Sequence, residues 1–189
     1  MKKVSQKKIT TIRDKPSRKQ AEEAVKTLIK WAGDNPEREG LLETPKRVVN
    51  SYKEFFSGYD SKPEQILSKT FDEVEGYDEM VIVRDIAIES HCEHHMVPFI
   101  GIAHIGYIPN KRIVGISKLA RIADVFAKRL QTQEIMTAQI ADTINEVLKP
   151  KGVAVVIDAQ HQCMTTRGTH KTESSTITSR MLGLFRTNS

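Results

Sequence analysis

The 189-residue sequence has few cysteines and no long hydrophobic runs, and each shortage excludes a class of protein. Its two cysteines are too few for a disulfide framework. Its longest purely apolar runs are a handful of residues, such as residues 153–157, far short of the ~20 that a membrane-spanning helix needs. No internal repeat or low-complexity linker is present. With 39% hydrophobic and 28% charged residues, the chain is typical of one soluble domain, or one domain with an appendage.

Positive charge is concentrated at the start of the chain. Residues 1–19 contain eight lysines and arginines against Asp14, a charge of +7, whereas the net charge is +5, so the remainder sums to about −2. Such a tail is typical of a solvated, disordered leader, and an arm that binds nucleic acid is the alternative. Because no apolar segment follows these charges, we expect no secretory signal, and the sequence predicts a cytoplasmic protein.

Helical spacing dominates the next segment, residues 20–78. Apolar residues recur every three or four positions between Ala21 and Ile29 and predict one helix. A second helix is expected from Thr44, which can act as its cap, to Gly58, which closes it. This part of the chain is therefore predicted to be an N-terminal helical segment.

Residues 79–189 have a different pattern, with the order strand, strand, helix, helix, strand, strand. The predicted elements are strands at 80–88 and 99–108, helices beginning at Ser117 and carrying residues 136–148, and strands at 153–159 and 175–185. This order predicts an α+β domain whose antiparallel sheet packs its helices on one face. The other face must then be covered, or the strands must continue around a ring of copies of the chain.

Metal-ligating side chains are concentrated in two short segments at predicted strand ends. Residues 91–95 are His-Cys-Glu-His-His, and residues 161–163 are His-Gln-Cys. Thiolate and imidazole are the ligands that zinc prefers. Cys92 and His95 are three positions apart, so one tight turn could direct both at a single ion, and Cys163 could supply a third ligand if the first and third predicted strands end near each other. Three protein ligands would leave a position for water, as in catalytic zinc sites.

Two further histidines, His94 and His161, lie next to these candidate ligands. Either could be a fourth ligand, which would give a closed structural site instead. Otherwise a neutral imidazole beside an activated water can take or give a proton near neutral pH, or can orient the ligands without touching a substrate.

A second group of residues suits a phosphorylated purine. Ser117, Lys118 and Arg121 lie at a predicted helix start, and Arg167 follows Cys163; such groups can bind phosphate oxygens, although an ordinary basic helix start is the competing interpretation. Glu134 could accept the paired hydrogen bonds of a guanine edge. By spacing alone, a solvated glutamate is favoured.

Six motifs between residues 43 and 168 extend this pattern, and the resemblance that they carry runs from about Ala21 to the C-terminus. They are residues 43–48 (ETPKRV), 92–99 (CEHHMVPF), 106–110 (GYIPN), 115–121 (GISKLAR), 129–134 (RLQTQE) and 161–168 (HQCMTTRG). Together they resemble the GTP cyclohydrolase I family. The motifs are long, ordered and widely spread, so the resemblance is highly specific.

This resemblance implies an activity and an assembly. The chain would hydrolyse GTP with water to 7,8-dihydroneopterin triphosphate and formate, the first step of folate or tetrahydropterin biosynthesis. The implied architecture is a tunnelling fold, in which antiparallel strands of several subunits form a barrel and two barrels stack into a homodecamer. The active sites would lie between subunits, with no membrane or nucleic-acid partner.

The resemblance also implies a role for each matching residue. The zinc ligands would be Cys92, His95 and Cys163, the acid–base residues His94 and His161, the guanine-binding residues Gln133 and Glu134, and the triphosphate-binding residues Ser117, Lys118, Arg121 and Arg167, with Arg47 from a neighbouring subunit.

Two other functions compete with this one. A related tunnelling-fold enzyme would act on another pterin or purine, but such relatives lack the paired Cys-Glu-His-His and His-x-Cys motifs. A non-enzymatic zinc protein would have a closed four-ligand site, and its basic tail would bind nucleic acid in a salt-sensitive way.

Overall fold

The computed structural model describes residues 14–68, 70–71 and 77–187. The first 13 residues of the predicted tail therefore lie outside the described part. The chain divides between residues 57 and 58 into two compact units. Among the described residues, none of the helices has the length and hydrophobicity of a membrane span.

The first unit consists of two helices, α1 (Arg18–Trp31) and α2 (Thr44–Phe55), separated by a 3-10 turn at Glu39–Leu41. Both predicted helices are confirmed. Helix α1 begins with a capping box, in which Ser17 and Gln20 satisfy each other's backbone N–H groups. The last two residues of the predicted tail are therefore helical. Thr44, predicted as a cap, is instead the first residue of α2, after Glu43.

The second unit contains one larger and one smaller sheet with their helices. In chain order its elements are α3 (Pro63–Leu67), β1 (Thr70–Phe71), β2 (Val81–Cys92), β3 (Pro98–Ile108), β4 (Ile113–Val114), α4 (Ile116–Ala127), β5 (Leu130–Gln131), α5 (Gln133–Leu148), β6 (Gly152–His161), α6 (Gln162–Thr165), β7 (Thr176–Gly183) and α7 (Leu184–Thr187). The predicted α+β order of strands and helices is confirmed.

The larger sheet has the strand order β5-β2-β3-β6-β7. All its pairs are antiparallel except β2–β5. The register places His161 opposite Phe99, and Cys92 beside Gln131. The end of β2, the start of β3 and the end of β6 therefore lie side by side, where these three neighbouring strands end.

The core lies between this sheet and helices α4 and α5. Helix α4 packs against β2, helix α5 packs against β6 and β7, and the two helices contact each other. Alternate residues of β6, from Val153 to Ala159, are buried on this side, as period-2 patterning requires. The opposite face carries exposed isoleucines, and Ile177 is 66% exposed.

Helix α4 begins at a different residue from the one predicted. Ser117 is the second residue of α4 rather than its cap; Gly115 occupies the cap position, and no side chain caps this end. At the start of α5 a true cap is present, because the Thr132 hydroxyl accepts a hydrogen bond from the Ile135 N–H.

Candidate active site

A tight turn between β2 and β3 brings Cys92 and His95 together. The Cys92 N–H donates to Val97 O at 3.0 Å, and the Met96 N–H donates to Cys92 O at 2.9 Å. Met96 adopts a φ of 55°, a left-handed conformation that few non-glycine residues adopt. This reversal leaves Cys92 Sγ and His95 Nδ1 3.8 Å apart.

The third candidate ligand, Cys163, reaches the same point from the end of strand β6, which pairs with β3. Strand β6 ends at His161, opposite Phe99, and the helical turn α6 then carries Cys163. The ligand atoms of Cys92, His95 and Cys163 all lie within 4.8 Å of one another. This group of three is the only one of its kind in the described ranges, and it includes neither His94 nor His161.

These distances suit a single zinc ion. Zinc–sulfur bonds of ~2.3 Å in a tetrahedral arrangement place ligand sulfurs about 3.8 Å apart, so small side-chain adjustments would be enough. Burial is the main cause that raises the pKa of the Cys163 thiol, and the neighbouring Cys92 raises it further. A bound cation would reverse this effect, because metal binding requires deprotonated thiols.

His161 is held from two directions. Its Nε2 lies 2.8 Å from Gln133 Oε1, and its ring stacks on Phe99 with centroids 4.6 Å apart and planes 10° apart. Burial lowers the pKa of His161, while the charge of Glu134 opposes that shift. The imidazole is therefore predominantly neutral at neutral pH and suited to exchanging protons.

The other histidines occupy different environments. His94 is exposed, and its ring meets that of His95 edge to face, with centroids 6.3 Å apart. His91 is buried on β2, and burial lowers its pKa. His104 lies on β3, where its Nδ1 accepts a hydrogen bond from the Asp85 N–H.

The residues expected to bind GTP are spread over several elements. Arg167 lies beside the metal cluster formed by Cys92, His95 and Cys163, with its Nη1 3.1 Å from His95 Nε2. Glu134 is exposed in the first turn of α5. Ser117, Lys118 and Arg121 lie together on the first turns of α4. Arg47 is exposed on α2 of the first unit.

Gln133, expected at the guanine, is buried inside the second unit. Its amide nitrogen contacts Ile157 O, Thr176 O and Thr178 Oγ1, and its oxygen contacts His161. Sequence reasoning missed these contacts and the stacking on Phe99. Only the pairing register of β3, β6 and β7 could have indicated them.

Comparisons of the sequence with a family profile and with curated proteins indicate the same family. The sequence profile described as GTP cyclohydrolase I matches residues 21–189. The chain is 61% identical over 175 residues to a protein of Maricaulis maris named GTP cyclohydrolase 1, covering 93% of this chain and 85% of that protein. It is 58% identical over 183 residues to the protein of the same name from Brucella suis, covering 97% and 86%.

Proposed function

This chain belongs to the GTP cyclohydrolase I family and is an enzyme of that kind; from that premise we propose that it uses zinc to hydrolyse GTP to 7,8-dihydroneopterin triphosphate and formate. This reaction would supply folate or tetrahydropterin biosynthesis in the cytoplasm. The observation that carries the proposal is the convergence of Cys92, His95 and Cys163 near the end of the strand that carries His161.

The donor set supports zinc as the cofactor. Two thiols and an imidazole suit zinc, whereas magnesium and calcium prefer oxygen ligands. Cys92, His95 and Cys163 would hold the ion, and three protein ligands are the number typical of catalytic zinc sites. When bound, the ion supplies Lewis acidity that activates water for hydrolysis.

Proton transfer would fall to the two histidines beside this cluster. His161, with its ring fixed by Gln133 and Phe99, would exchange a proton with the imidazole ring of the purine as water adds at C8. The ring would open to a formamide, a second hydrolysis would release formate, and the freed amine would close onto the rearranged ribose. His94, exposed beside His95, would serve later proton transfers.

Substrate recognition would combine a carboxylate with several cations. Glu134 is exposed and close enough to His161 for its charge to act on the imidazole, which supports it as the anchor of the guanine edge. Ser117, Lys118, Arg121 and Arg167 would hold the triphosphate, with Arg47 from a neighbouring subunit.

The proposed assembly is a homodecamer in which the strands of several chains form a barrel with shared active sites. The exposed isoleucines on the sheet face opposite α4 and α5 support an arrangement in which copies of the chain enclose that face. Strand β7 also forms one edge of the larger sheet, where a strand of another subunit could pair.

The deciding experiment incubates the metal-loaded protein with GTP and follows formate and the pterin chromophore, beside a chelator-treated sample. We expect both products, their loss on chelation and their return with zinc. Formate without pterin would contradict the ring-closing part of the proposal. Neither product from a folded, zinc-bound oligomer would overturn it and would favour another purine substrate or a non-enzymatic zinc protein.

A further inference from the structure

The orientation of the Gln133 side chain is determined by its surroundings. Its amide nitrogen lies 2.8 Å from Thr176 O and 3.0 Å from Ile157 O. Both are backbone carbonyl oxygens, which only accept hydrogen bonds, so the atom that faces them must be the NH₂ group. The side-chain oxygen of Gln133 therefore faces His161.

This orientation fixes the position of one hydrogen on His161. Because Gln133 Oε1 only accepts, the His161 Nε2 that lies 2.8 Å away must carry a hydrogen. In a neutral imidazole the other nitrogen, Nδ1, then has a free lone pair.

Two threonine hydroxyls complete the hydrogen-bond network. The Thr137 hydroxyl donates to the backbone carbonyl oxygen of Gln133 at 2.7 Å. It must therefore accept a hydrogen bond from the Thr178 hydroxyl, whose Oγ1 also lies 2.7 Å away. Thr178 Oγ1 in turn lies 3.1 Å from the Gln133 amide nitrogen. Gln133 is only 1% exposed, so its amide is shielded from water, and reversing the amide would place its oxygen against two carbonyl oxygens at low dielectric.

The plane of the imidazole is fixed as well. The ring of Phe99, which is fully buried, lies parallel to that of His161. With one face against Phe99 and Nε2–H bonded to Gln133, Nδ1 is the nitrogen left to exchange a proton with a substrate.

We propose that Gln133 is a positioning residue that fixes the Nε2–H tautomer and the ring orientation of His161, so that Nδ1 serves the reacting purine. This inference rests on the proposed function. In each proton transfer, one N–H bond forms or breaks at Nδ1. The hydrogen on Nε2 stays on that nitrogen and remains hydrogen-bonded to Gln133 Oε1. This role differs from the direct contact with guanine that the family resemblance implies, since both polar groups of the side chain already bond to the protein.

The kinetic test uses Gln133→Met, which keeps the length of the side chain and removes the acceptor. General acid–base catalysis contributes ~10²–10⁴-fold, so we expect kcat to fall about 100-fold while KM for GTP stays within about threefold. In a His161→Asn background the same substitution should change kcat little, because its effect passes through His161.

The spectroscopic test uses solid-state NMR of protein labelled with ¹⁵N-histidine, with the His161 signals assigned by their loss in His161→Asn. The wild type should show the Nε2–H tautomer, and Gln133→Met should add the Nδ1–H form. Gln131→Met is the matched control: Gln131 is 4% exposed, and its amide donates to Phe126 O and Gln139 Oε1, both at 2.9 Å. It should lose comparable thermal stability and leave the His161 signals unchanged.

Three results would overturn this inference: an Nδ1–H tautomer in the wild type, a raised KM at unchanged kcat in Gln133→Met, or full additivity with His161→Asn. An Nδ1–H tautomer in the wild-type spectrum overturns the inference even if Gln133→Met does not fold. If the wild type fails to release formate from GTP, the proposed function fails, while the spectrum still tests the tautomer.

Discussion

At the scale of single residues, the metal cluster depends on each of its three donors. Cys163→Ser and His95→Asn each leave two protein ligands, and loss of a partner that only orients a ligand already costs ~10–100-fold in affinity or activity. We therefore expect each variant to lose bound zinc and at least ~100-fold of its formate release together. Elemental analysis and a formate assay on the same preparation measure both.

His104→Asn is the matched control for this prediction. His104 lies on β3, where its Nδ1 bonds to the backbone of Asp85, and it does not belong to the metal cluster. This variant should retain its zinc. A Cys163→Ser protein with full metal content and full turnover would show that the ligand assignment is wrong.

Glu134 can be tested through the base that it is proposed to recognise. A hydrogen bond to a charged group contributes about 1.5–3 kcal/mol, so Glu134→Gln should lower kcat/KM for GTP about 10- to 100-fold. Its preference for GTP over ITP, which lacks the 2-amino group, should shrink. Glu146→Gln, the same change at an exposed position late in α5, should leave both quantities unchanged; equal losses in the two variants would contradict a specific role for Glu134.

At the scale of elements, the end of helix α5 is strained. Lys149, its C-terminal cap, has φ 50° and ψ 51°, a left-handed conformation that costs a non-glycine residue about 1–2 kcal/mol. Lys149→Gly should therefore raise the free energy of unfolding by roughly 1 kcal/mol, less the extra entropy of glycine in the unfolded chain. Chemical denaturation measures the change.

Helix α4 supplies the comparison for Lys149. Its C-terminal cap is Lys128, with φ −80°, which an L-residue adopts without strain. Lys128→Gly should therefore lower stability, for the same entropic reason. If both glycine variants shift stability in the same direction, the strain at Lys149 is not the cause.

Element types could be predicted from the sequence better than element ends. The pattern of residues 80–88 predicts a strand, yet β2 continues to Cys92, because His91 pairs with Pro98 and Cys92 with Gln131. Tertiary pairing extends the strand through Glu-Ser-His-Cys, which has little β-propensity of its own. The predicted start of α4 is also displaced: Gly115, rather than Ser117, takes the cap position.

The candidate site could be predicted only in part. Cys92, His95 and Cys163 are rare residue types in short motifs, so their chemistry is visible in the sequence. The environment of Gln133 is not, because its partners Ile157 and Thr176 are carbonyl oxygens on two different strands. Backbone oxygens occur at every residue, and only the folded sheet selects these two.

At the scale of the whole molecule, we predict that activity requires assembly. Ile177 and its neighbours on the exposed sheet face would be enclosed by copies of the chain, and the proposed active sites take residues from more than one subunit. Light scattering coupled to size-exclusion chromatography should give about ten times the 21.4 kDa of one chain. Fractions dissociated by dilution should lose turnover; a fully active monomer would contradict shared sites.

The spacing of the metal ligands along the chain affects the order of events during refolding. Cys92 and His95 belong to one local turn, whereas Cys163 lies 71 positions after Cys92 and joins them only when β6 pairs with β3. Such long-range contacts form late, since closing a long loop costs chain entropy before the contact stabilises it. Tight zinc uptake should therefore follow β3–β6 pairing, and the rate at which free zinc disappears would time the closure of the sheet.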